Sequence, residues 1–301
     1  MKFFRRGSSS PPPSQKPFSA RERVVSLESL QEQARQNRGD ATGPMIRALE
    51  NGLWPEHLCA NAGAITTGGQ IALLKSCVAV VGLGGLGGHI ATLLARAGVG
   101  SLVLCDPDLF EPANLNRQAF CTSKSLGWKK AHIAAGFLES LGGLVHLKVL
   151  DQALTAKNAL EILQPAHIVL DALDSPTPRL HAWQAAMQLK IPFVHGAVSG
   201  WSGQVATLAH DGAATLFDIY PQLKAASAQQ PGRETGGAAA QNLGDAQEPK
   251  PAPSVLAPAP AAIAAIQVTE AIRILTGNQP AYLDKLLHWD GKSGSMKIFS
   301  L

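Results

Sequence analysis

A glycine-rich turn at residues 82–88 has the composition needed to bind the phosphates of a nucleotide. It follows an apolar, mostly β-branched run at 78–81, which predicts a strand buried on both faces, and it leads into a helical pattern that ends at Gly98. Glycines let a ligand approach the backbone, and the N-terminus of the helix offers free N–H groups and partial positive charge. We therefore expect four glycines to bind a cofactor: Gly82, Gly84, Gly85 and Gly87. A turn that serves only helix–strand packing is the alternative.

A polar loop, DPDLFEPANLNRQ at 106–118, follows the next predicted strand, Ser101–Cys105. Asp106, directly after that strand, has the spacing expected of a ribose-binding acid, and open α/β sheets bind ligands at this end of their strands. Arg117 can grip a phosphate with a planar fork of donors, and Asn114 can hydrogen-bond sugar or phosphate oxygens. The candidate cofactor-binding residues of the loop are Asp106, Asp108, Asn114, Arg117 and Gln118.

Three further charged residues would complete a polyphosphate clamp. Lys130, at the start of the next predicted helix, adds a point charge, and Asp174, after the predicted strand 167–173, is a hard oxygen ligand suited to Mg²⁺ between phosphates. Arg179 lies five residues further on. An enzyme that uses NAD needs no such clamp, because the glycine turn and its helix hold the pyrophosphate. The set indicates cleavage of a nucleoside triphosphate; a surface loop of solvated, helix-capping charges is the alternative.

The elements that must position these residues alternate between strand and helix. The periodicity predicts helices at about 125–141, 156–163, 178–190 and 261–275, and later strands at 193–198, 203–209, 286–289 and 296–299. Connections between parallel strands are right-handed crossovers. We therefore predict an α/β fold with a Rossmann-like doubly wound sheet, parallel in its first half and antiparallel toward the C-terminus.

Composition divides the 301 residues into an extension and one domain. Hydrophobic residues make up 46% and charged residues 16%, which is typical of a globular protein, and the net charge is +4. Six Lys and Arg residues lie in the first 23, with only Glu22 against them. We predict a basic, largely flexible extension at 1–50 and a domain at 51–301. Within the domain, the Ala-, Pro-, Gln- and Gly-rich stretch 221–260 is expected to form a mobile loop.

Several other classes of protein are disfavoured. The N-terminus lacks the apolar segment of a signal peptide, and no run is long enough to span a membrane, so we expect a cytoplasmic protein that binds neither membrane nor nucleic acid. The four cysteines are not arranged as CxxC pairs, and we therefore expect no zinc site.

The chain resembles the ThiF/HesA/MoeB family of adenylyltransferases, which share their fold with ubiquitin-activating enzymes. The resemblance covers roughly residues 55–301. Its motifs are GLGGLGG at 82–88, DPD at 106–108, NLNRQ at 114–118, GWKK at 127–130, DALDS at 171–175, HGAVSGWSGQV at 195–205 and APAPAAIAAIQVTEAIRILTG at 257–277.

This resemblance implies a homodimer that uses ATP and Mg²⁺. Its expected reaction is adenylation of the C-terminal glycine carboxylate of a small ubiquitin-like sulfur carrier, with release of pyrophosphate. The resemblance places Gly85 under the phosphates and Asp106 at the ribose, and Asp174 would hold the metal. It assigns the catalytic roles to Arg117, Lys130, Asp174 and Arg179, and adds Ser175 to the cofactor-binding residues.

The chain also departs from the family pattern. Before the first strand the family usually has Arg-Tyr-x-Arg-Asn, with an arginine that reaches the ATP of the partner subunit, whereas this chain has HLCAN at 57–61. The zinc-binding CxxC pairs of many members and the cysteine of thioester-forming relatives are missing as well. The alternative is a catalytically impaired nucleotide-binding scaffold of the same fold. A nicotinamide-dependent oxidoreductase is a third possibility, which the phosphate clamp disfavours.

Overall fold

The computed structural model describes residues 24–227 and 254–301, apart from residues 38 and 143. The basic stretch at 1–23 and most of the predicted loop, 228–253, lie outside the described residues. The described residues form three layers, with helices on both faces of one large sheet.

The large sheet has eight strands and confirms the predicted fold class. The described strands are β1 (Val24–Val25), β2 (Trp54–Pro55), β3 (Cys77–Val81), β4 (Ser101–Cys105), β5 (His146–Leu150), β6 (Ile168–Asp171), β7 (Phe193–Ser199), β8 (Ser202–Leu208), β9 (Lys285–Asp290) and β10 (Ser295–Ser300). Their order in the sheet is β10-β9-β8-β7-β6-β3-β4-β5, and β1 pairs with β2 separately. Neighbours are parallel from β5 to β7 and antiparallel from β7 to β10.

The four predicted helices are present with shifted ends, and further helices lie elsewhere, one of them (Gln222–Ser227) inside the stretch predicted to be a mobile loop. The described helices are α1 (Leu27–Gln36), α2 (Thr42–Glu50), α3 (Thr67–Leu74), α4 (Gly85–Ala97), α5 (Lys130–Ser140), α6 (Ala159–Leu163), α7 (Pro176–Leu189), α8 (Leu216–Ile219), α9 (Gln222–Ser227) and α10 (Pro258–Leu275). Short 3₁₀ helices lie at Glu56–Asn61 and Pro112–Asn114. None of the described helices combines the length and the apolar character needed to cross a bilayer.

Alternate residues of β3 enter two cores on opposite faces of the sheet. Val78 and Val80 pack in the core that contains residues of α4, α5 and α10, whereas Ala79 and Val81 pack in the core that contains residues of α6 and α7. Both faces of β3 are therefore covered. This explains why β3 appears in the sequence as an apolar run and lacks a polar alternation.

The part of the N-terminal extension from β1 to α2 is folded, which differs from the expectation of a largely flexible segment. Leu30, Met45 and Leu49 are buried and pack with Trp54 and Leu58 in a third, smaller core. Helix α2 was not predicted from the sequence, because its three buried residues, Pro44, Met45 and Leu49, are too few to give a clear period.

Helix α5 begins at Lys130, five residues later than predicted. The residues before it form a turn, in which the Ser125 hydroxyl donates to the Phe120 carbonyl oxygen at 3.0 Å. The backbone N–H of Phe110 also donates to the carbonyl oxygen of Trp128 at 2.9 Å. These hydrogen bonds hold the residues before Lys130 in a non-helical conformation, so Lys130 is the first residue of α5.

We predict that Glu270→Gln lowers the free energy of unfolding by about 1–3 kcal/mol. Glu270 is buried, and its carboxylate accepts hydrogen bonds from the Thr207 hydroxyl and from the backbone N–H groups of Ala281 and Tyr282, at 2.8–2.9 Å. A glutamine would turn an NH₂ group toward at least one of these donors. Urea unfolding measures the change, with exposed Glu161→Gln as the control; equal midpoints for both variants would contradict the prediction.

Candidate functional site

The register of the parallel strands brings three predicted segments to one edge of the sheet. Val81 of β3 lies level with Cys105 of β4 and with Asp171 of β6. The residues that follow these positions are the glycine turn, the polar loop and the segment that contains Asp174. The carboxyl ends of β4, β3 and β6 therefore place the three segments side by side, as the sequence predicted.

Two glycines of the turn are required by the packing of the protein itself. Gly82 has a φ of +89°, and a Cβ there would lie 2.6 Å from the carbonyl oxygen of Ala172. A Cβ at Gly87 would overlap the carbonyl oxygen of Gly82. Packing within the protein is therefore sufficient to explain why glycine occupies positions 82 and 87, and no ligand is needed to explain it.

Packing does not explain the other two glycines. A Cβ at Gly84 would meet Gln118 Nε2 at 3.5 Å, and one at Gly85 would meet Pro260 Cβ at 3.4 Å; both are ordinary van der Waals distances. Gly85 begins α4, and no side chain caps this helix. The first N–H groups of a helix have no partner within it and readily bind an anion, so the surface at Gly84 and Gly85 fits a phosphate.

The predicted ribose acid, Asp106, is buried and holds the turn in place. Its Oδ2 accepts a hydrogen bond from the backbone N–H of Leu83 at 2.6 Å, and its Oδ1 accepts one from that of Asp108 at 2.8 Å. Burial raises the pKa of the Asp106 carboxyl, against the lowering effect of these two bonds. Each oxygen can accept a second hydrogen bond, so this conformation is compatible with contact to a sugar hydroxyl.

Lys130 and Asp108, both predicted to bind the cofactor, form an ion pair. Lys130 Nζ lies 2.9 Å from Asp108 Oδ2; the lysine side chain is 8% exposed and that of Asp108 is 60% exposed. The backbone N–H of Lys130 also donates to the carbonyl oxygen of Asp108 at 3.0 Å. A phosphate that binds Lys130 would therefore have to compete with the Asp108 carboxylate.

The end of the polar loop contributes donors and one free acceptor. Arg117 Nη1 donates to the carbonyl oxygen of Ala113 and to Asn116 Oδ1, both at 2.8 Å, and within the described residues its Nε and Nη2 groups have no acceptor. Asn114 accepts from the N–H of Glu111 at 3.0 Å. The buried Gln118 Oε1 has no hydrogen-bond partner in the described part of the chain.

Asp174 presents an available carboxylate at the same edge. It is exposed, and among the described residues it has no hydrogen bond or ion pair. Ser175 follows it as the N-terminal capping position of α7, without a side-chain capping bond. A single carboxylate together with substrate phosphates is a usual way to hold Mg²⁺, so Asp174 fits this metal. The described residues contain no group of three or more His, Cys, Asp or Glu side chains arranged to hold a metal by themselves.

Arg179 makes its contacts inside the protein. It is buried; its Nε donates to Asp171 Oδ2 at 2.8 Å, and its Nη2 donates to the carbonyl oxygen of Leu173. The catalytic role predicted for Arg179 stays a prediction, and these contacts connect it to the segment before Asp174.

The buried partners of Arg179 were not predicted from the sequence. Asp171 and His195 lie level on neighbouring strands, and His195 Nδ1 lies 2.7 Å from Asp171 Oδ2. Burial by itself would raise the pKa of the Asp171 carboxyl, but Arg179 and His195 outweigh it, and this pKa is lowered. Burial lowers the pKa of His195, against the raising effect of Asp171. The available signal was an acid inside the apolar run at 167–173.

Comparison with known proteins gives matches over most of the chain. A sequence model of the ThiF family matches residues 58–301. The adenylyltransferase and sulfurtransferase MOCS3 of Arabidopsis thaliana is 30% identical over 258 residues, which are 84% of this chain and 52% of that protein. The sulfur carrier protein adenylyltransferase of Thermus thermophilus is 40% identical over 142 residues, 47% of this chain and 52% of that protein. This chain thus spans about half the length of either relative.

A solved structure shows the same fold. The crystal structure of E. coli MccB with AMPCPP and MccA superimposes with a TM-score of 0.63 and covers 81% of this chain and 71% of that one. Its sequence identity to this chain is 16%, so this likeness extends to the fold alone.

We predict that Gly85→Ala and Gly87→Ala separate ligand binding from folding. Alanine at Gly85 should change the free energy of unfolding by less than about 1 kcal/mol, because its Cβ meets only ordinary contacts, yet it should weaken binding of ATP with Mg²⁺. Alanine at Gly87 should destabilise the protein by about 3 kcal/mol or more. Urea unfolding and titration calorimetry measure both effects. Unchanged ATP binding in stably folded Gly85→Ala would contradict the assignment.

Proposed function

The chain belongs to the ThiF family, and we propose that it is an adenylyltransferase that uses ATP and Mg²⁺. Its proposed substrate is the C-terminal glycine carboxylate of a small ubiquitin-like sulfur-carrier protein. The names of relatives support this class of reaction: one acts as a sulfur carrier protein adenylyltransferase and another combines adenylyltransferase and sulfurtransferase. The observation that carries the proposal is the pair Gly84 and Gly85, which packing does not require and which lie beside Arg117 and Gln118.

The proposed reaction needs no nucleophile from the protein. A carboxylate oxygen of the carrier attacks the α-phosphorus of ATP and forms a new P–O bond. The bond from that phosphorus to the bridging oxygen breaks, and pyrophosphate leaves with the electron pair, so the products are the acyl-adenylate and pyrophosphate. Catalysis then rests on alignment of the two reactants and on stabilisation of the charge that develops on the phosphates.

Different residues of the site would bind the phosphates, the ribose and the metal. The N-terminus of α4 at Gly85 and the free donors of Arg117 would contact phosphate oxygens, and Asp106 would contact the ribose. Asp174 would hold Mg²⁺, which when bound neutralises phosphate charge. Lys130 would exchange its present partner, the Asp108 carboxylate, for a phosphate.

A homodimer is part of the proposal, and the place of segment 57–61 supports it. In relatives an arginine of this segment reaches the ATP of the partner subunit. Here Asn61 Nδ2 donates to the carbonyl oxygen of Ala97, at the end of α4, at 3.3 Å. The glycine turn lies at the opposite end of this 13-residue helix, about 20 Å away at 1.5 Å per residue. An arginine in this segment would therefore lie far from the glycine turn of its own chain, which supports an arrangement in which the segment faces the site of another subunit.

The missing arginines favour one second candidate, a nucleotide-binding scaffold with impaired catalysis. Segment 57–61 supplies no arginine to a partner site, and Ala60 is exposed there. The organisation proposed for the chain applies to both candidates: an adenylation domain from residue 51 to 301, with residues 24–50 packed against it.

We predict that Arg117→Ala reduces ATP–pyrophosphate exchange about a hundredfold, or about 3 kcal/mol, because it removes one preorganised donor to the phosphates. The assay contains Mg²⁺ and a carrier that ends in Gly-Gly. Arg96→Ala is the matched control, since Arg96 is exposed near the far end of α4 and should change nothing. If the wild-type protein binds ATP but catalyses no exchange with any Gly-Gly carrier, the scaffold replaces the enzyme as the conclusion.

A further inference from the structure

A buried charged cluster lies directly behind the segment that carries Asp174. Its members, Asp171, Arg179 and His195, are at most 4% exposed. One oxygen, Asp171 Oδ2, lies 2.8 Å from Arg179 Nε and 2.7 Å from His195 Nδ1. Buried ion pairs lose much of their Coulombic energy to desolvation and are often no more stabilising than apolar side chains. Stability alone therefore does not account for this cluster.

The cluster holds both backbone groups of the residue before Asp174. The N–H of Leu173 donates to Asp171 Oδ1 at 3.0 Å, and the carbonyl oxygen of Leu173 accepts from Arg179 Nη2. The planar guanidinium of Arg179 thus binds a side chain and a backbone group at once, which a lysine ammonium cannot do with the same geometry.

The backbone on either side is fixed as well. The N–H of Ala172 donates to the carbonyl oxygen of Val81 in β3 at 2.9 Å, and Gln267 Nε2 donates to the carbonyl oxygen of Asp171 at 2.9 Å. The segment from Asp171 to Leu173 is therefore held from the glycine-turn strand, from α10 and from α7. The first residue beyond this restrained stretch is Asp174, whose carboxylate is exposed.

We propose that Asp171, Arg179 and His195 are positioning residues that orient the Asp174 carboxylate for Mg²⁺. The proposal rests on the proposed function, because it assumes that Asp174 holds the metal that accompanies ATP. The three residues touch neither metal nor nucleotide; they act through the backbone of Leu173. Groups that orient a metal ligand in this way commonly change metal affinity 10- to 100-fold when they are replaced.

Tyr220 closes the cluster on its far side. Its hydroxyl lies 3.2 Å from His195 Nε2, and its ring centroid lies 5.2 Å from the guanidinium carbon of Arg179. Gln204 Nε2 is 3.2 Å from both His195 Nε2 and the Tyr220 hydroxyl. Both ring nitrogens of His195 thus have a polar neighbour: Asp171 at Nδ1, and Gln204 and Tyr220 at Nε2. The imidazole is therefore fixed between Asp171 and the segment that follows α8.

The test measures the Mg²⁺ dependence of nucleotide binding by the full chain. A non-hydrolysable ATP analogue is titrated by calorimetry at a series of Mg²⁺ concentrations and again in EDTA. Arg179→Lys keeps the charge but loses the simultaneous contact to Asp171 and Leu173, so the Mg²⁺ concentration for half-maximal enhancement should rise at least tenfold. Binding of the analogue in EDTA should change less than twofold.

Two variants set the scale of this measurement. Asp174→Asn removes the proposed ligand itself and should abolish most of the Mg²⁺ enhancement. Glu270→Gln changes a carboxylate that is as buried as that of Asp171 but makes no hydrogen bond to the segment 171–174. It should therefore leave the Mg²⁺ dependence unchanged. If Arg179→Lys fails to fold, Asp171→Asn takes its place, because it keeps the shape and one acceptor for the Leu173 N–H.

The outcomes distinguish this inference from the proposed function. A rise in the Mg²⁺ requirement in the cluster variant, with Glu270→Gln unchanged, supports the positioning role even if the wild-type protein catalyses no exchange. Normal Mg²⁺ dependence in a folded cluster variant, or an equal shift in Glu270→Gln, overturns the positioning role and leaves the proposed function standing. A wild-type protein whose binding does not respond to Mg²⁺ overturns the inference and the metal part of the proposed function.

Discussion

The close contact between the glycine turn and the end of β6 is the constraint on which the site depends. Gly82 and Gly87 lack side chains because the carbonyl of Ala172 and the turn's own backbone occupy that space. Ala172 stands two residues before Asp174, so the packing that joins β3, α4 and β6 also brings the proposed metal ligand beside the turn. In the proposed site, folding and ligand binding would share this contact, and a loss of nucleotide binding in a Gly87 variant would therefore report on folding.

The charged residues around this contact differ in what they can still bind. Asp171 and Arg179 are buried and satisfied by the protein, so they fix geometry and have little capacity for a ligand. Arg117 and Asp174 keep unused donors or acceptors at the edge of the sheet. Lys130 is intermediate, because its buried side chain ends at an exposed carboxylate. An incoming triphosphate would bring more negative charge than Asp108 offers, so it could replace the carboxylate as the partner of the Lys130 ammonium.

Sequence alone predicted the features that depend on local pattern. Strand β3 and the helix after the glycine turn lie where the sequence predicted them, because buried parallel strands give apolar runs and the motif is contiguous. The start of α5 was missed, because two hydrogen bonds hold residues 125–128 in a turn before it: the Phe110 N–H donates to the Trp128 carbonyl oxygen, and the Ser125 hydroxyl donates to the Phe120 carbonyl oxygen. The pairing of Asp171 with His195 could not be seen either, because it depends on which strands are neighbours and on their register.

The place of segment 57–61 decides what its missing arginines mean. The segment packs at the carboxyl end of α4, a helix length away from the turn of its own chain, so its composition leaves that site unaltered. The donors of Arg117, the N-terminus of α4 and the Asp174 carboxylate are all supplied by the same chain as the turn. The proposed nucleotide binding would therefore depend on one subunit, whereas a charge supplied by segment 57–61 would act across a dimer. A scaffold and an enzyme could accordingly share the same binding site and differ only in what a second protein chain adds to it.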